Sequence, residues 1–267
     1  MKISLVQMKS SEDKEENLKK SLDVIRALSS EKPDLIIFPE YHMYMPDFTN
    51  PGFAKDVSEP TDGGFVTSLS RASEKIGSNI LLNMTETNFG SLKPFNTSLL
   101  IDDLGVVAGK YRKIHLFDAY TMQESSVYDP GRIPIKAMNN EKFRVGVQIC
   151  YDLRFPESSR LLSLQGAQIL SYQAGWFAGN RKLETWRTLL KARAMENGVF
   201  VLGTAQCGEK FTGHSMIISP YGDVIREADN SETVLTETLD MSLIEQYREE
   251  VPMMKQRRKD MYDVSGL

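Results

Sequence analysis

The sequence predicts an α/β protein built as a four-layer α-β-β-α sandwich from two similar halves. Three observations carry that prediction. A strand–helix–strand–helix order followed by hairpin-like strands occurs near the N-terminus and recurs after residue 142. Short apolar runs such as Leu35-Ile36-Ile37-Phe38 suit parallel strands covered on both faces. Parallel strands also need helices over the sheet, while antiparallel hairpins extend its edges, so two such halves pair sheet to sheet.

Residues 2–8 read as a buried strand. Ser10 and Ser11 are placed to cap the next helix, on which Leu18, Leu22, Ile25 and Leu28 recur on one face. Pro33 and Asp34 end it, and the strand 35–38 runs into Pro39-Glu40. Residues 42–64, rich in Pro and Gly, form a long loop of the kind that is usually functional or mobile. A helix over 65–76 leads to a strand at 80–84, then to a hairpin at 96–101 and 106–110 around Asp-Leu-Gly. In the second half, strands are expected at 143–149, 169–172 and 199–205, and helices at 156–165 and 181–197. The second helix turns Leu183, Trp186, Leu189 and Leu190 inward. Strands at 215–218, 224–225 and 233–238 close the set, with a Pro-Tyr-Gly-Asp turn between the first two.

The totals narrow the class. A chain of 267 residues without a linker-like stretch reads as a single domain over 1–267. Hydrophobic content of 41% with 25% charged residues is that of a soluble globular protein with ample core. A net charge of −4 with no long basic run argues against a nucleic-acid partner. Two cysteines, Cys150 and Cys207, give no disulfide framework, so a cytoplasmic setting is expected. The N-terminus turns acidic after one short strand and reads as neither signal peptide nor membrane span. The tail over 252–267 is too polar for core and is expected to lie on a partner subunit or a neighbouring surface.

The strongest chemical signal is RVGVQICYDLRFPE, residues 144–157. Val145, Val147 and Ile149 alternate as in a buried strand, and Pro156 suits the first turn of a helix. Cys150 therefore sits where a strand turns sharply into a helix, a position from which a nucleophile projects into a crevice beside backbone N–H groups. A lone strand-end cysteine is more often a small buried hydrophobe. Two further strand ends shift the balance: Glu40 closes LIIFPE, and Lys113 follows the hairpin in GKYRKIHLFD. Such ends surround the ligand crevice of open α/β sheets. A carboxylate can take a thiol proton, and an ammonium can stabilise both thiolate and oxyanion. Together they suffice for attack on an amide or nitrile carbon, with no histidine required.

With FPEY around Glu40, KYRKIHLFD around Lys113, QES at 123–125 and GVQICYDLRFPE around Cys150, the sequence resembles the nitrilase superfamily, the carbon–nitrogen hydrolases. KARAMENGVFVLG and GHSMIISPYGDV extend the resemblance over nearly the whole chain. It implies that Glu40 is the general base and that Cys150 is a nucleophile forming a thioester acyl-enzyme with release of ammonia. It also implies that Lys113 and the backbone N–H of Tyr151 hold the oxyanion, and that Glu124 positions the substrate amide and Lys113. No cofactor or metal is implied, and the family habit is a homodimer or larger homo-oligomer. The YDLRFPE continuation is similar to that of the ω-amidases and deaminated-glutathione amidases, which act on small carboxylate-bearing amides. True nitrilases usually continue from the cysteine through Trp-Glu. An N-carbamoyl amino-acid amidohydrolase would favour a second Arg beside Arg154, where Leu153 stands. A non-catalytic binding protein on this fold would not need all three of Glu40, Lys113 and Cys150.

Other residues admit competing roles. Arg154 either braces the turn by pairing with Glu157 or binds a substrate carboxylate bidentately. Trp176 and Phe177 fall where the resemblance places pocket walls. His115 suits a supporting or core position; a cysteine-protease mechanism would instead make it the base for Cys150. His42 and His214 have no ligand-spaced partners for a metal. Cys207, with only Lys210 as a nearby cation in sequence, reads as inert.

Overall fold

The computed structural model of the chain describes residues 1–50 and 52–261. The first half lays down strands β1 (Lys2–Gln7), β2 (Leu35–Ile37), β3 (Asn79–Glu86), β4 (Phe95–Ile101) and β5 (Val107–Arg112). Helix α1 (Lys14–Ala27) joins β1 to β2, while α2 (Phe53–Val57) and α3 (Gly64–Ile76) join β2 to β3. A small ribbon, β6 (Asp118–Ala119) with β7 (Met122–Gln123), precedes β8 (Met138–Asn139) and β9 (Arg144–Ile149). The second half continues through α4 (Pro156–Leu164), β10 (Ile169–Ala174), α5 (Lys182–Asn197) and β11 (Phe200–Ala205). It ends with β12 (Met216–Ile218), β13 (Val224–Glu227), β14 (Thr233–Thr238), α6 (Ser242–Glu250) and α7 (Met253–Gln256).

The strands form two six-stranded sheets of matching design, in the orders β14-β1-β2-β3-β4-β5 and β8-β9-β10-β11-β12-β13 when each is read from the same edge. In both, three consecutive parallel strands are flanked by antiparallel ones, two on one side and one on the other. The sequence repeat is thus a structural repeat. One strand breaks the segregation: β14 returns to pair with β1 in full register from Lys2↔Thr238 to Gln7↔Thr233, tying the end of the second half to the first sheet.

Period-2 alternation places the layers. Ile3, Leu5, Leu35, Ile37 and Leu81 share a core with Val145, Val147 and Ile149 of the other sheet. Val6, Ile36, Ile80 and Leu82 turn the other way and pack with Ile25 of α1 and Phe65, Val66 and Leu69 of α3. Trp186 and Leu190 of α5 are fully buried, with Leu183 and Leu189 partly buried beside them. This is the four-layer arrangement.

Local differences have local causes. Asp13, rather than Ser10 or Ser11, caps α1, accepting from the N–H groups of Glu15 and Glu16; Ser11 instead donates to Glu16. The loop expected over 42–64 contains the short α2, and α6 was not anticipated because its sequence buries only Ile244. In the tail, Arg160 of α4 donates to the sulfur of Met254, so that part of the segment touches its own chain; residues 262–267 lie outside the described residues. Among the described residues no helix is long and apolar enough to cross a membrane.

Polar side chains lock the sheets together beneath the strand ends. Gln173 of β10 donates 2.6 Å to the Phe38 carbonyl and accepts from Ser98 Oγ at 2.5 Å, both in the opposite half. Gln206 Nε2 donates to Ser10 Oγ and to the Glu40 carbonyl, while its Oε1 accepts from Ser10 N–H. Replacing Gln173 by Leu leaves a buried carbonyl and hydroxyl without that partner, and is expected to lower stability by about 1–3 kcal/mol. Urea unfolding checks this; an unchanged midpoint would show that the link contributes nothing.

Candidate active site

Glu40 follows β2, Lys113 directly follows β5 and Cys150 directly follows β9, and the fold brings all three to one end of the sandwich. Lys113 Nζ is the hub. It lies 2.7 Å from Glu40 Oε1, 2.7 Å from Glu124 Oε2 and 2.9 Å from Glu124 Oε1, and none of the three residues is more than 1% exposed. Cys150 lies beside this cluster, lining the same cavity as Lys113, and its thiol feels the charges of Glu40, Lys113 and Glu124. The groups picked out in the sequence meet at one site.

A buried ion cluster persists only when its remaining lone pairs are also satisfied. Here the backbone does much of that. The Gly175 N–H donates 2.7 Å to Glu40 Oε2, and the Phe117 N–H donates 2.7 Å to Glu124 Oε2. Asn96 Nδ2 reaches both carboxylates, at 2.9 Å from Glu40 Oε1 and 3.2 Å from Glu124 Oε1. Asn96 is itself oriented by Asn83 Nδ2, 2.8 Å from its Oδ1, and Asn83 Oδ1 accepts the Tyr41 N–H. A Cβ on Gly175 would sit 2.6 Å from the Tyr41 ring, so glycine is required for this close approach.

The electrostatics follow from burial and partners. Burial alone would lower the Lys113 pKa, but the charges of Glu124 and Glu40 outweigh it and hold the ammonium well above its ordinary value. Burial raises the Glu124 carboxyl, against the opposing pull of Lys113. The Cys150 thiol is pushed well above its usual range by burial and then by Glu40's negative charge, with Lys113 opposing. The thiol is therefore protonated at rest and needs a base at the moment of reaction.

The turn holding Cys150 is strained and braced. Cys150 has φ +45°, a left-handed conformation unusual for a residue with a Cβ, at the start of the one-turn helix Cys150–Arg154. Asp152 secures it. Its Oδ2 accepts the Ile149 N–H at 2.8 Å and the Tyr111 hydroxyl at 2.7 Å, and its Oδ1 lies 2.8 Å from His115 Nδ1. The His115 ring stacks on Phe155 with centroids 3.7 Å apart. His115 thus supports the turn and does not line the Cys150 cavity.

That cavity holds about 330 Å³ of atom-free space, part of it open to solvent. Cys150 and Lys113 form its base; Tyr41, Phe117, Tyr151, Trp176 and Phe177 form aromatic walls; Arg154 and Lys182 are its other charged lining residues. Arg154 does not form the expected pair with Glu157 among the described residues: its guanidinium lies over the Trp176 ring at 5.2 Å while Glu157 is exposed. Asp152 performs the bracing instead, a role the sequence reading missed. Gly175, Asn83, Asn96, Tyr41, Phe117 and Lys182 were missed as well. Tyr41 and Gly175 follow strand ends, the one weak sequence signal among them; Asn83 and Asn96 lie within strands, and Lys182 opens α5. Cys207 is buried with its thiol pushed up to about 11 by burial, which suits inertness. Burial also lowers the neutral His42 to about 3, and no group of three potential metal ligands exists among the described residues.

Comparison with known proteins fixes the class. The carbon-nitrogen hydrolase family model matches residues 2–249. Omega-amidase NIT2 of Xenopus tropicalis is 32% identical over 277 residues, covering 98% of this chain and 97% of that protein. The nitrilase and fragile histidine triad fusion protein NitFhit of Caenorhabditis elegans is 31% identical over 97% of this chain, which spans 61% of the fusion protein's length. The crystal structure of that protein superposes with a TM-score of 0.90 at 30% identity, covering 98% of this chain and 66% of that one. Nit3 of Saccharomyces cerevisiae, a member of branch 10 of the nitrilase superfamily, superposes with a TM-score of 0.87 at 29% identity, covering 97% of this chain and 96% of Nit3. The chain belongs to the carbon–nitrogen hydrolases. Within them it is an amidase-type enzyme of the nitrilase superfamily.

Because Glu40's charge is the largest charge contribution raising the Cys150 thiol, Glu40→Gln is expected to lower that thiol's pKa, with Lys113 still in place. Thiolate ultraviolet absorbance followed against pH measures it. An upward shift would contradict the electrostatic picture.

Proposed function

We propose that this chain hydrolyses small aliphatic amides bearing a carboxylate, through a thioester on Cys150, releasing ammonia. The observation that carries the reading is a buried ammonium, Lys113, held between two carboxylates and lining the same cavity as the Cys150 thiol. Glu40 takes the thiol proton as sulfur attacks the amide carbon, a transfer that leaves the net charge of the buried cluster unchanged. Lys113 Nζ and the Tyr151 N–H stabilise the oxyanion, where losing one donor typically costs ~10²–10³ in rate. On collapse the C–N bond breaks, and protonated Glu40 delivers its proton to the departing ammonia. Water then enters, Glu40 removes its proton, and hydroxide attack on the thioester frees the acid and restores the thiol. Glu124 keeps Lys113 in place through paired contacts and presents an acceptor for the amide nitrogen.

The substrate class rests on Arg154, half-buried in the cavity lining, where a guanidinium can engage a carboxylate bidentately. Relatives named omega-amidase and deaminated glutathione amidase fit the same chemistry. We further propose one catalytic domain over the whole chain and assembly as a homodimer or larger homo-oligomer in the cytoplasm. The partner contact would use the outer helix layer, where Leu161, Leu164 and Met195 are exposed apolar residues.

The test is ammonia release from a panel of carboxylate-bearing amides, neutral amides, nitriles and N-carbamoyl acids. Wild type should act on the first group and Cys150→Ala on none. Glu40→Gln and Lys113→Ala should each lower kcat by roughly 10³-fold or more, as loss of a base or oxyanion donor does. Intact-mass measurement on quenched enzyme should reveal the acyl adduct on Cys150. No ammonia from any member, with wild type and Cys150→Ala alike, rules the reading out.

A further inference from the structure

The cavity carries a charge pattern that the hydrolytic steps do not use. Its base is a satisfied cluster: the carboxylates of Glu40 and Glu124 are both committed to Lys113. Its lining adds two more cations, Arg154 and Lys182, each half-buried. Neither forms an ion pair with a carboxylate among the described residues; each rests against aromatic rings instead. Two like charges in one small cleft, neither with a carboxylate partner of its own, repel each other, and an anion between them relieves that repulsion.

Lys182 is also held in place. It opens α5, its carbonyl accepts the Trp176 indole N–H at 2.9 Å, and its ammonium lies 4.4 Å from the Tyr120 ring centroid and 5.4 Å from that of Phe117. Trp176, which fixes the Lys182 backbone, is the same residue whose ring lies under Arg154. The two cations are therefore linked through one buried indole, in a cavity whose lining also includes Tyr41, Phe117, Tyr151, Phe177 and Cys150.

We propose that Lys182 is a specificity-determining residue: together with Arg154, in the same cavity lining, it clamps the carboxylate at the far end of the acyl chain, making the site select anionic over neutral amides of equal length. This deepens the amide-hydrolase reading and rests on it, since it assumes that the acyl half of the amide occupies the cavity above Cys150. A charged clamp contributes equally to ground state and transition state. It should therefore act through KM and leave kcat nearly unchanged.

The test separates binding from catalysis. With Cys150→Ala protein, which cannot turn over, calorimetry measures affinity for succinamate and for butyramide, its neutral counterpart of equal chain length. Adding Lys182→Gln should weaken succinamate binding roughly 10-fold, the effect of one charge-assisted hydrogen bond, and leave butyramide unaffected. Lys182→Arg should restore most of the preference, and raised salt should diminish it more in Lys182 protein than in Lys182→Gln protein, which keeps Arg154. In enzyme with Cys150 intact, Lys182→Gln should raise KM for succinamate by a similar factor with kcat little altered. Equal weakening for both amides, a loss confined to kcat, or no detectable succinamate binding to the Cys150→Ala protein overturns the clamp. Selective binding without any ammonia release from wild type would instead keep the clamp and reject the hydrolytic reading.

Discussion

The structure depends on keeping one ammonium buried. Lys113 is almost wholly removed from water, a placement that costs several kcal/mol unless opposing charge is close. Two carboxylates supply that charge, and they in turn create an excess of negative charge next to Cys150. The result is a linked set of constraints. Lys113 stays charged because of Glu40 and Glu124; the thiol stays neutral because of burial and Glu40. Remove Lys113 and two buried carboxylates are left without a counter-charge. The cluster therefore couples stability to chemistry at one point in the fold.

Backbone geometry makes the cluster possible. Each sheet delivers part of it at a strand end, and polar residues beneath stop the sheets from sliding past one another. Gln173 and Gln206 bond across the halves to the carbonyls of Phe38 and Glu40, so the segment carrying the proposed base is registered against the second sheet. The left-handed conformations of Cys150 and Tyr41 sit beside this junction. Such conformations cost of order 1–3 kcal/mol each and persist only where the surroundings over-determine them. Asp152, tied to Tyr111, His115 and the Ile149 N–H, fixes the first; Asn83, accepting from the Tyr41 N–H, fixes the second.

Much of this was legible from residue order. Alternation in Val145, Val147 and Ile149, the apolar run Leu35-Ile36-Ile37-Phe38 and the recurrence of helix-spaced leucines located the sheets and helices. The three reactive types at strand ends are groups that the fold brings to the candidate site. What stayed hidden was of another kind. Gly175 contributes a backbone N–H and an absent side chain, neither of which has a sequence signature. Asn83 and Asn96 lie inside strands, where an amide is ordinarily a neutral filler until a partner across the sheet is known. Arg154 and Glu157 have suitable charges and spacing, but the turn directs the guanidinium to Trp176, and a buried aspartate takes the bracing role. The crossing of β14 to the first sheet is likewise a property of topology: its alternating residues would serve either edge equally well.

The division of the cavity into a polar base and an aromatic, cationic upper wall has a physical consequence for selectivity. A carboxylate entering the cleft meets net negative charge at the base, where Glu40 and Glu124 outnumber Lys113, and positive charge at Arg154 and Lys182. In the proposed reaction an amide with a carboxylate at its other end would be oriented before any contact with sulfur: its anionic end would be repelled by Glu40 and Glu124, and its neutral amide end would be the one to approach. Reversed binding would place carboxylate against carboxylate in a water-poor site, where like charges interact most strongly. Orientation of this kind needs no close-fitting pocket. It arises from the same buried charges that keep Lys113 protonated, so in the proposed reaction the interaction that stabilises the cluster would also decide which end of a substrate reaches it.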